Sequence, residues 1–334
     1  MVISFVTMDI FSFVGIAILC YLLIYIVLLS FLDRDLGLAW AEKLGKSIGS
    51  LKGKVIWITG ASSGIGEAIA VTLSKHGARI VISARREYEL ERVKSRCLDE
   101  GKGKSDDIFV LPMDVTNLES HQACFDKVIA EFGQLDILVN NAGRSQRANW
   151  EEIETQVDQE MFNLNVLSVI SLTRVAVRYF MAREEGGGHV AVTSSVAGLF
   201  GVPFSGSYTG AKHAIHGYFD SLRMEKMHHG LTVSILCPGP VLTNFLSESF
   251  TAKPGEKYGV ATSSSDRRMT ADRCGYLCCV ALANSLREVW VALPPVLPVA
   301  YMARYFPNFT WMIGGYVGSK YMLKLRDSQS TVKS

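Results

Sequence analysis

The chain has 334 residues, room for one large α/β domain with appendages or for two small domains. Its 34 Lys and Arg nearly balance 32 Asp and Glu, so no basic surface points to a nucleic-acid partner. The seven cysteines (Cys20, Cys97, Cys124, Cys237, Cys274, Cys278 and Cys279) form no CxxC pair and no Cys/His cluster at zinc spacing. They read as buried free thiols, and no metal is expected.

From Ile10 to Leu32 no residue carries a charge. As a helix this run would span ~34 Å at ~1.5 Å per residue, enough for a hydrocarbon core of ~30 Å. A cleaved signal peptide would need a basic leader, a shorter apolar stretch and a small-residue cleavage site. Residues 1–9 hold no Lys or Arg, and Ser30-Phe-Leu-Asp33 is no such site. Residues 1–32 are therefore expected to be an uncleaved membrane anchor, with lipid as its partner along residues 10–32. Arg34, Lys43, Lys46, Lys52 and Lys54 follow the run and none precedes it, which by the positive-inside rule tips the balance towards a cytosolic domain. The sequon Asn308-Phe-Thr310 would be usable only on the lumenal side, so the orientation stays open.

Residues 33–52 read as a polar connector. Beyond it, short β-rich runs alternate with helix-period segments. Strands are expected at Lys54–Thr59, Arg79–Ser83, Ile108–Met113, Asp136–Val139, His189–Thr193, Thr232–Cys237 and Glu288–Ala292. Helices are expected at Gly64–Lys75, Arg86–Glu100, Leu118–Phe132, Asp158–Ala182 as one long element, Ser207–His228 and Arg273–Ala283. Such alternation predicts right-handed βαβ units, hence a doubly wound, Rossmann-like parallel sheet in one domain over residues 53–293. Leu242–Thr270 lacks periodicity and follows a strand end, where ligand crevices form in open α/β sheets, so it reads as a lid. Residues 294–334 are apolar and aromatic but broken by Pro294, Pro295, Pro298 and Pro307. They read as short helices that cover the cleft, lie on a bilayer or pack on the core.

Between the first strand and first helix stands Thr59-Gly60-Ala-Ser62-Ser63-Gly64-Ile65-Gly66. Glycines at this place allow a tight turn, and the helix N-terminus offers N–H groups to a pyrophosphate. The second strand ends in Ser83-Ala-Arg85-Arg86, with no acid to hold a ribose 2′-hydroxyl. Two guanidiniums there suit a 2′-phosphate, which favours NADPH/NADP+ over NADH. An alternative is that Arg86 only opens a solvated helix face.

Tyr208 and Lys212 are four residues apart on an expected helix, so they share a face. A neighbouring ammonium favours phenolate, and the expectation is a lowered Tyr208 pKa and a proton donor and acceptor near neutral pH. Alone, Tyr-x-x-x-Lys is a weak pattern.

Taken together, Thr59–Gly66, Asp114-Val115, Asn140-Asn-Ala-Gly143, Asn165, Ser195, Tyr208-x-x-x-Lys212 and Pro238-Gly-Pro-Val241 with Thr243 resemble the short-chain dehydrogenase/reductase family over residues 53–293. The resemblance implies a catalytic set of Ser195, Tyr208, Lys212 and Asn165, with Ser195 and Tyr208 meeting the substrate. Ser194 and Asn163 compete with Ser195 and Asn165, and the family spacing selects the latter two. It further implies a dinucleotide held by Gly60, Ser62, Ser63, Gly64, Ile65, Gly66, Arg85, Arg86, Asp114, Val115, Asn141, Ala142, Gly143, Tyr208, Lys212, Pro238, Gly239, Val241 and Thr243. Asn140 would be structural. Some NADP(H)-using relatives carry a basic residue in the glycine turn, where this chain has Ser63. The implied activity is that of an anchored NADPH-dependent carbonyl reductase or alcohol dehydrogenase of the endoplasmic reticulum membrane, acting on small lipophilic ketones and aldehydes such as steroids and retinoids. A 3-ketoacyl or 3-ketosphinganine reductase and a non-catalytic nucleotide-binding scaffold are the alternatives. A homodimer through residues 158–182 and 207–228 is implied as well.

Overall fold

The five residues of β1 (Val55–Thr59) are all buried, and their side chains alternate. Val55 and Trp57 enter one apolar cluster, Ile56 and Ile58 another. Only a central strand covered on both faces reads this way. A computed structural model describes residues 9–318 except 102, 185, 264 and 265. It places β1 within a seven-stranded parallel sheet. From one edge, the order runs β3 (Ile108–Val110), β2 (Arg79–Ser83), β1, β4 (Ile137–Asn140), β5 (Gly188–Thr193), β6 (Leu231–Pro238) and β9 (Glu288–Val291). In register, Ile56 pairs with Ile80 on one side and Ile137 on the other, while Ile235 pairs with Glu288. The order reverses between β1 and β4, which opens a crevice at the carboxyl ends of the strands.

On one face lie α3 (Gly64–Lys75), α4 (Glu87–Glu100) and α9 (Ala271–Ala283), supplying Ile69, Leu73, Leu90, Val93 and Leu277 to the core. The opposite face carries α5 (Ser120–Phe132), α7 (Ser168–Ala182) and α8 (Gly206–Glu225), with Phe125, Leu172, Val175, Ile215 and Phe219 inward. Helices α3 and α9 touch through Gly275, where a Cβ would stand 2.6 Å from that of Ala68.

The helix expected over 158–182 is two helices. α6 (Thr155–Phe162) and α7 are joined by a π turn, Asn163–Leu167. No Pro or Gly breaks the sequence there. The cause is tertiary: the Asn165 side chain turns inward and bonds the Arg144 backbone twice, accepting from its N–H at 3.0 Å and donating to its carbonyl at 2.7 Å. π turns of this kind collect at functional sites.

The residues following the apolar run are folded onto the domain. α2 (Leu36–Leu44) buries Leu38 and Ala41 beside α9, and a 3-10 turn at Ile48–Leu51 buries Ile48 and Leu51. Asp35 caps α2 by accepting from Leu38 N–H at 2.9 Å and clasps β9, accepting from the Trp290 N–H at 2.7 Å while its own N–H donates to the Trp290 carbonyl. Arg273 of α9 holds Asp33 at 2.8 Å and Glu42 at 2.6 Å. Asp33, Asp35 and Glu42, among the residues that made this stretch read as a polar connector, are engaged in these contacts.

α1 (Ile10–Leu29) is an apolar helix, 20 residues long and almost wholly outside the protein interior, long enough to cross a membrane. The α6–α7 stretch meets the same length and apolarity criteria but is mostly buried as a core element. Within Leu242–Thr270 the chain forms a short parallel pair, β7 (Val241–Leu242) with β8 (Met269–Thr270). The tail forms α10 (Val296–Tyr305) and α11 (Pro307–Val317). Residues 1–8 of the expected anchor and 319–334 of the expected extension lie outside the described residues.

Candidate active site and dinucleotide crevice

The crevice is built where β1, β4, β5 and β6 end. Thr59 is the last residue of β1. Its Oγ1 accepts from the N–H groups of Asn141 and Ala142 at 3.1 and 3.2 Å, so the Asn141–Gly143 turn is moored to the glycine turn. The Asn141 amide donates to the carbonyls of Thr59 and Gly60, both at 3.2 Å, and its oxygen accepts from Thr193 Oγ1 at 3.1 Å. Gly60 has φ of 65°, and a Cβ there would stand 2.7 Å from the Ala142 Cα, so glycine is required on both counts. A Cβ on Gly66 would lie 2.4 Å from the Gly60 carbonyl oxygen.

This arrangement fits a pyrophosphate. The first helical bond of α3 is Glu67 N–H to Ser63 O at 3.4 Å, and Ser63 puts no side chain on the helix end. The N–H groups of Gly64, Ile65 and Gly66 therefore precede the helical ladder, positive and without helical acceptors. Across the crevice, the Thr243 methyl is 3.0 Å from where a Gly64 Cβ would be, which brings the Pro238–Thr243 segment against the turn. Ser62 is buried and its carbonyl accepts from Arg92 at 3.0 Å. Asp114 is exposed beyond β3, its carboxylate accepting from Thr116 N–H and Oγ1 at 2.9 and 2.7 Å, with Val115 buried beside it. Arg85 and Arg86 are exposed at the end of β2, and neither guanidinium makes a hydrogen bond or ion pair among the described residues. On the opposite rim, the Lys257 hydrogen bond holds the Glu248 carboxylate below its usual range, with Arg144 and then Arg86 adding smaller pulls.

The catalytic candidates converge at the base of this crevice. Ser195 opens a 3-10 turn, Val196–Gly198; its Oγ accepts from Ala197 N–H at 3.1 Å and faces the Pro238 carbonyl at 3.3 Å. Tyr208, on the first turns of α8, is buried and stands near enough to the Ser195 hydroxyl to feel it. Lys212 follows one turn on: its ammonium donates to the Thr193 carbonyl at 2.8 Å and lies 5.6 Å from the Tyr208 ring centroid. A Cβ on Gly143 would sit 2.7 Å from Asn165 Oδ1 and 3.8 Å from Lys212 Nζ, which fixes those three residues as neighbours. Ser194 is buried with its hydroxyl beside Gly198, without a partner among the described residues, so the geometry sets Ser195 against the phenol. Asn165 is fully buried while Asn163 is only partly so.

One expectation fails here. Burial pushes the Tyr208 phenol above its ordinary value; the nearby Ser195 hydroxyl and the Arg147 guanidinium pull it back without reversing the rise. Lys212 sits over the ring face, with its hydrogen bond given to Thr193, and burial pushes the ammonium down to about 8. Desolvation thus outweighs the pair attraction that the i, i+4 spacing suggested. The phenol is kept as an acid.

Sequence reasoning missed four contributors: Thr59 as the brace of the Asn141 turn, Thr193 as the acceptor for Lys212, Phe245, which meets the Tyr208 ring edge to face at 6.1 Å, and Arg144. The last lies over the Phe250 ring at 5.2 Å and pairs with Glu248 at 3.2 Å. Thr59 and Thr193 end β1 and β5 at the crevice, and that position was the available signal.

A parallel sheet reversing at β1/β4, with a glycine turn at the switch point and a Ser–Tyr–Lys cluster beside it, defines a dinucleotide-dependent oxidoreductase site. The family model for short chain dehydrogenases matches residues 54–254, and the chain belongs to the short-chain dehydrogenase/reductase family. It is 42% identical over 308 residues to human dehydrogenase/reductase SDR family member 7, covering 91% of this chain and 90% of that one. Among solved structures, a short-chain dehydrogenase/reductase from Burkholderia phymatum in complex with NAD superposes with a TM-score of 0.67 at 24% identity, covering 78% of this chain and 96% of that one. An alcohol dehydrogenase from the archaeon Thermococcus sibiricus, complexed with 5-hydroxy-NADP, gives a TM-score of 0.61 at 27% identity, over 71% and 95% of the two chains.

Proposed function

We propose that the protein is a membrane-anchored, NADP(H)-dependent carbonyl reductase and alcohol dehydrogenase that acts on lipophilic ketones and aldehydes, steroids and retinoids among them. The observation that carries this reading is the buried Tyr208 phenol beside the Ser195 hydroxyl, with Lys212 one turn away. A nicotinamide dinucleotide held in the crevice would supply the hydride in reduction and accept it in oxidation. The protein's own work is orientation and proton transfer. Ser195 turns its hydroxyl from the Pro238 carbonyl to the substrate oxygen and polarises it. Tyr208, held protonated by burial, gives its proton to the developing alkoxide. Lys212 and Asn141–Gly143 line the sugar side of the crevice, and Gly64–Gly66 present N–H groups to the pyrophosphate.

The guanidiniums of Arg85 and Arg86, unpaired among the described residues, support a 2′-phosphate, hence NADPH. The apolar character of α1 and the Phe245 ring against Tyr208 support a lipid-borne substrate presented at a membrane, with the endoplasmic reticulum as the proposed residence. Exposed Leu167 and Tyr218 on the α7–α8 side support a homodimer across that face. The test is NADPH consumption by membranes carrying the full chain across steroid ketones and retinals. Tyr208→Phe should lower turnover about 10²- to 10⁴-fold, the usual worth of a positioned acid. Replacing Arg85 and Arg86 together by Ala should raise the KM for NADPH about tenfold or more and leave that for NADH unchanged. Undiminished turnover in Tyr208→Phe overturns the catalytic reading; an unaltered NADPH preference overturns the cofactor reading.

A further inference from the structure

The end of the described chain carries an apolar surface that the catalytic reading does not use. α11 holds no charged residue, and none of its described side chains is buried. Phe306 at its N-terminal cap and Phe309, Trp311, Met312 and Tyr316 along it are exposed, Trp311 at 78% and Tyr316 at 91%. Soluble monomers seldom leave so many large apolar side chains uncovered on one short helix. At eleven residues the helix reaches only ~16 Å, too short to cross ~30 Å of hydrocarbon. Its Trp and Tyr are the residue types that settle at headgroup depth.

The patch is also fixed relative to α1. α10 connects them: Tyr301 meets Tyr25 of α1 edge to face at 5.6 Å and Trp290 of β9 at 4.5 Å, and Tyr305 stacks on Tyr301 at 6.0 Å. Below this cluster, Leu29 at the end of α1 and Leu297 and Ala300 of α10 share one buried cluster. The first turn of α10 backs the crevice, since a Cβ on Gly239 would come within 3.5 Å of Val296 Cγ1.

We propose that α11 is a second membrane-contact element, lying flat in the lipid–water boundary beside the point where α1 enters, with a phospholipid bilayer as the occupant of its aromatic face. The inference rests on the reading of α1 as a membrane span. α10 then acts as a rigid strut that sets the Pro238–Thr243 rim of the crevice at the lipid surface. A chain held by α1 alone would swing on one tether; two contacts fix its tilt.

The test uses the full chain in phosphatidylcholine vesicles whose acyl chains are brominated near the glycerol, with tryptophan quenching as the signal. Wild type should be quenched, Trp311→Phe should lose roughly half of that quenching, and Tyr316→Trp added to Trp311→Phe should restore it. Equal quenching in wild type and Trp311→Phe overturns the proposal, and if the chain also resists alkaline extraction, the α1 reading survives that failure. Trp311-dependent quenching in a chain that alkali removes supports the α11 contact and sinks the α1 span instead. Unquenched Trp311 in a detergent-solubilised dimer that Phe309→Asp dissociates assigns the face to a second copy and overturns the bilayer. A glycan on Asn308, read as a mass shift removed by endoglycosidase, also overturns it, because that side chain opens the same helix.

Discussion

At the scale of single residues, the chemistry turns on how burial divides the protons between Tyr208 and Lys212. The phenol, pushed up, stays protonated through neutral pH; the ammonium, pushed down to about 8, is the group that titrates first. Reduction should therefore be steady through neutrality and fall as pH rises past about 8, where Lys212 loses its charge, checked by a pH profile of kcat/KM. Stability moves the other way. Between about 8 and the unfolded lysine's ~10.4 the unfolded chain binds more protons at this site, so the cost of burying the charge, full below that window, is relieved across it. The melting temperature of wild type should thus gain on that of Lys212→Met as pH rises through the window. The sequence displayed the Tyr–Lys pair but not this ordering, because desolvation depends on what covers the pair, and Phe245 and the Thr193 carbonyl come from distant parts of the chain.

Among elements, strand positions were legible because a parallel sheet covered on both faces leaves short, nearly continuous apolar runs such as Val55–Ile58 and Ile80–Ile82. The glycine turn was legible too, since only glycine suits the φ of Gly60 and the space at Gly66. The π turn at Asn163–Leu167 was not, because its cause is a pair of hydrogen bonds to Arg144, about twenty residues back in the chain. Gly275 was equally silent, and it governs how closely α9 approaches α3, the helix whose N-terminus opens onto the crevice. Gly275→Val should cost about 1–3 kcal/mol or more through overpacking on Ala68 and Ile69, seen as a lower denaturant midpoint. Cofactor affinity should weaken with it, because the displaced helix is α3. Wild-type stability in that variant would mean the two helices separate freely.

For the whole molecule, the domain is bounded by two edges of unequal character. The β3 edge is short, three residues, and ends in solvent-facing turns. The β9 edge is closed by Asp35, through the Trp290 N–H and carbonyl, and by the aromatic stack of α10. Asp35→Ala removes a helix cap and leaves the Trp290 N–H unmatched, so a loss of about 2–4 kcal/mol is expected, read from thermal unfolding. Asn, which keeps the accepting oxygen, should recover most of it. In sequence these residues read as a polar connector; the ion pairs of Asp33 and Glu42 with Arg273 tie two of its carboxylates to α9.

The Asp35–Trp290 clasp joins residues 255 positions apart, and that span dictates an order of assembly. On a ribosome the residues around Asp35 emerge early and those of β9 near the end. For most of translation, then, the growing sheet carries an open flank with its future fastener already made and idle. Any chain stopped short of Glu288 would keep β6 bare along one side, a sticky border that invites pairing with a neighbouring polypeptide. Completion of the last strand is thus the moment at which the nascent molecule becomes self-contained.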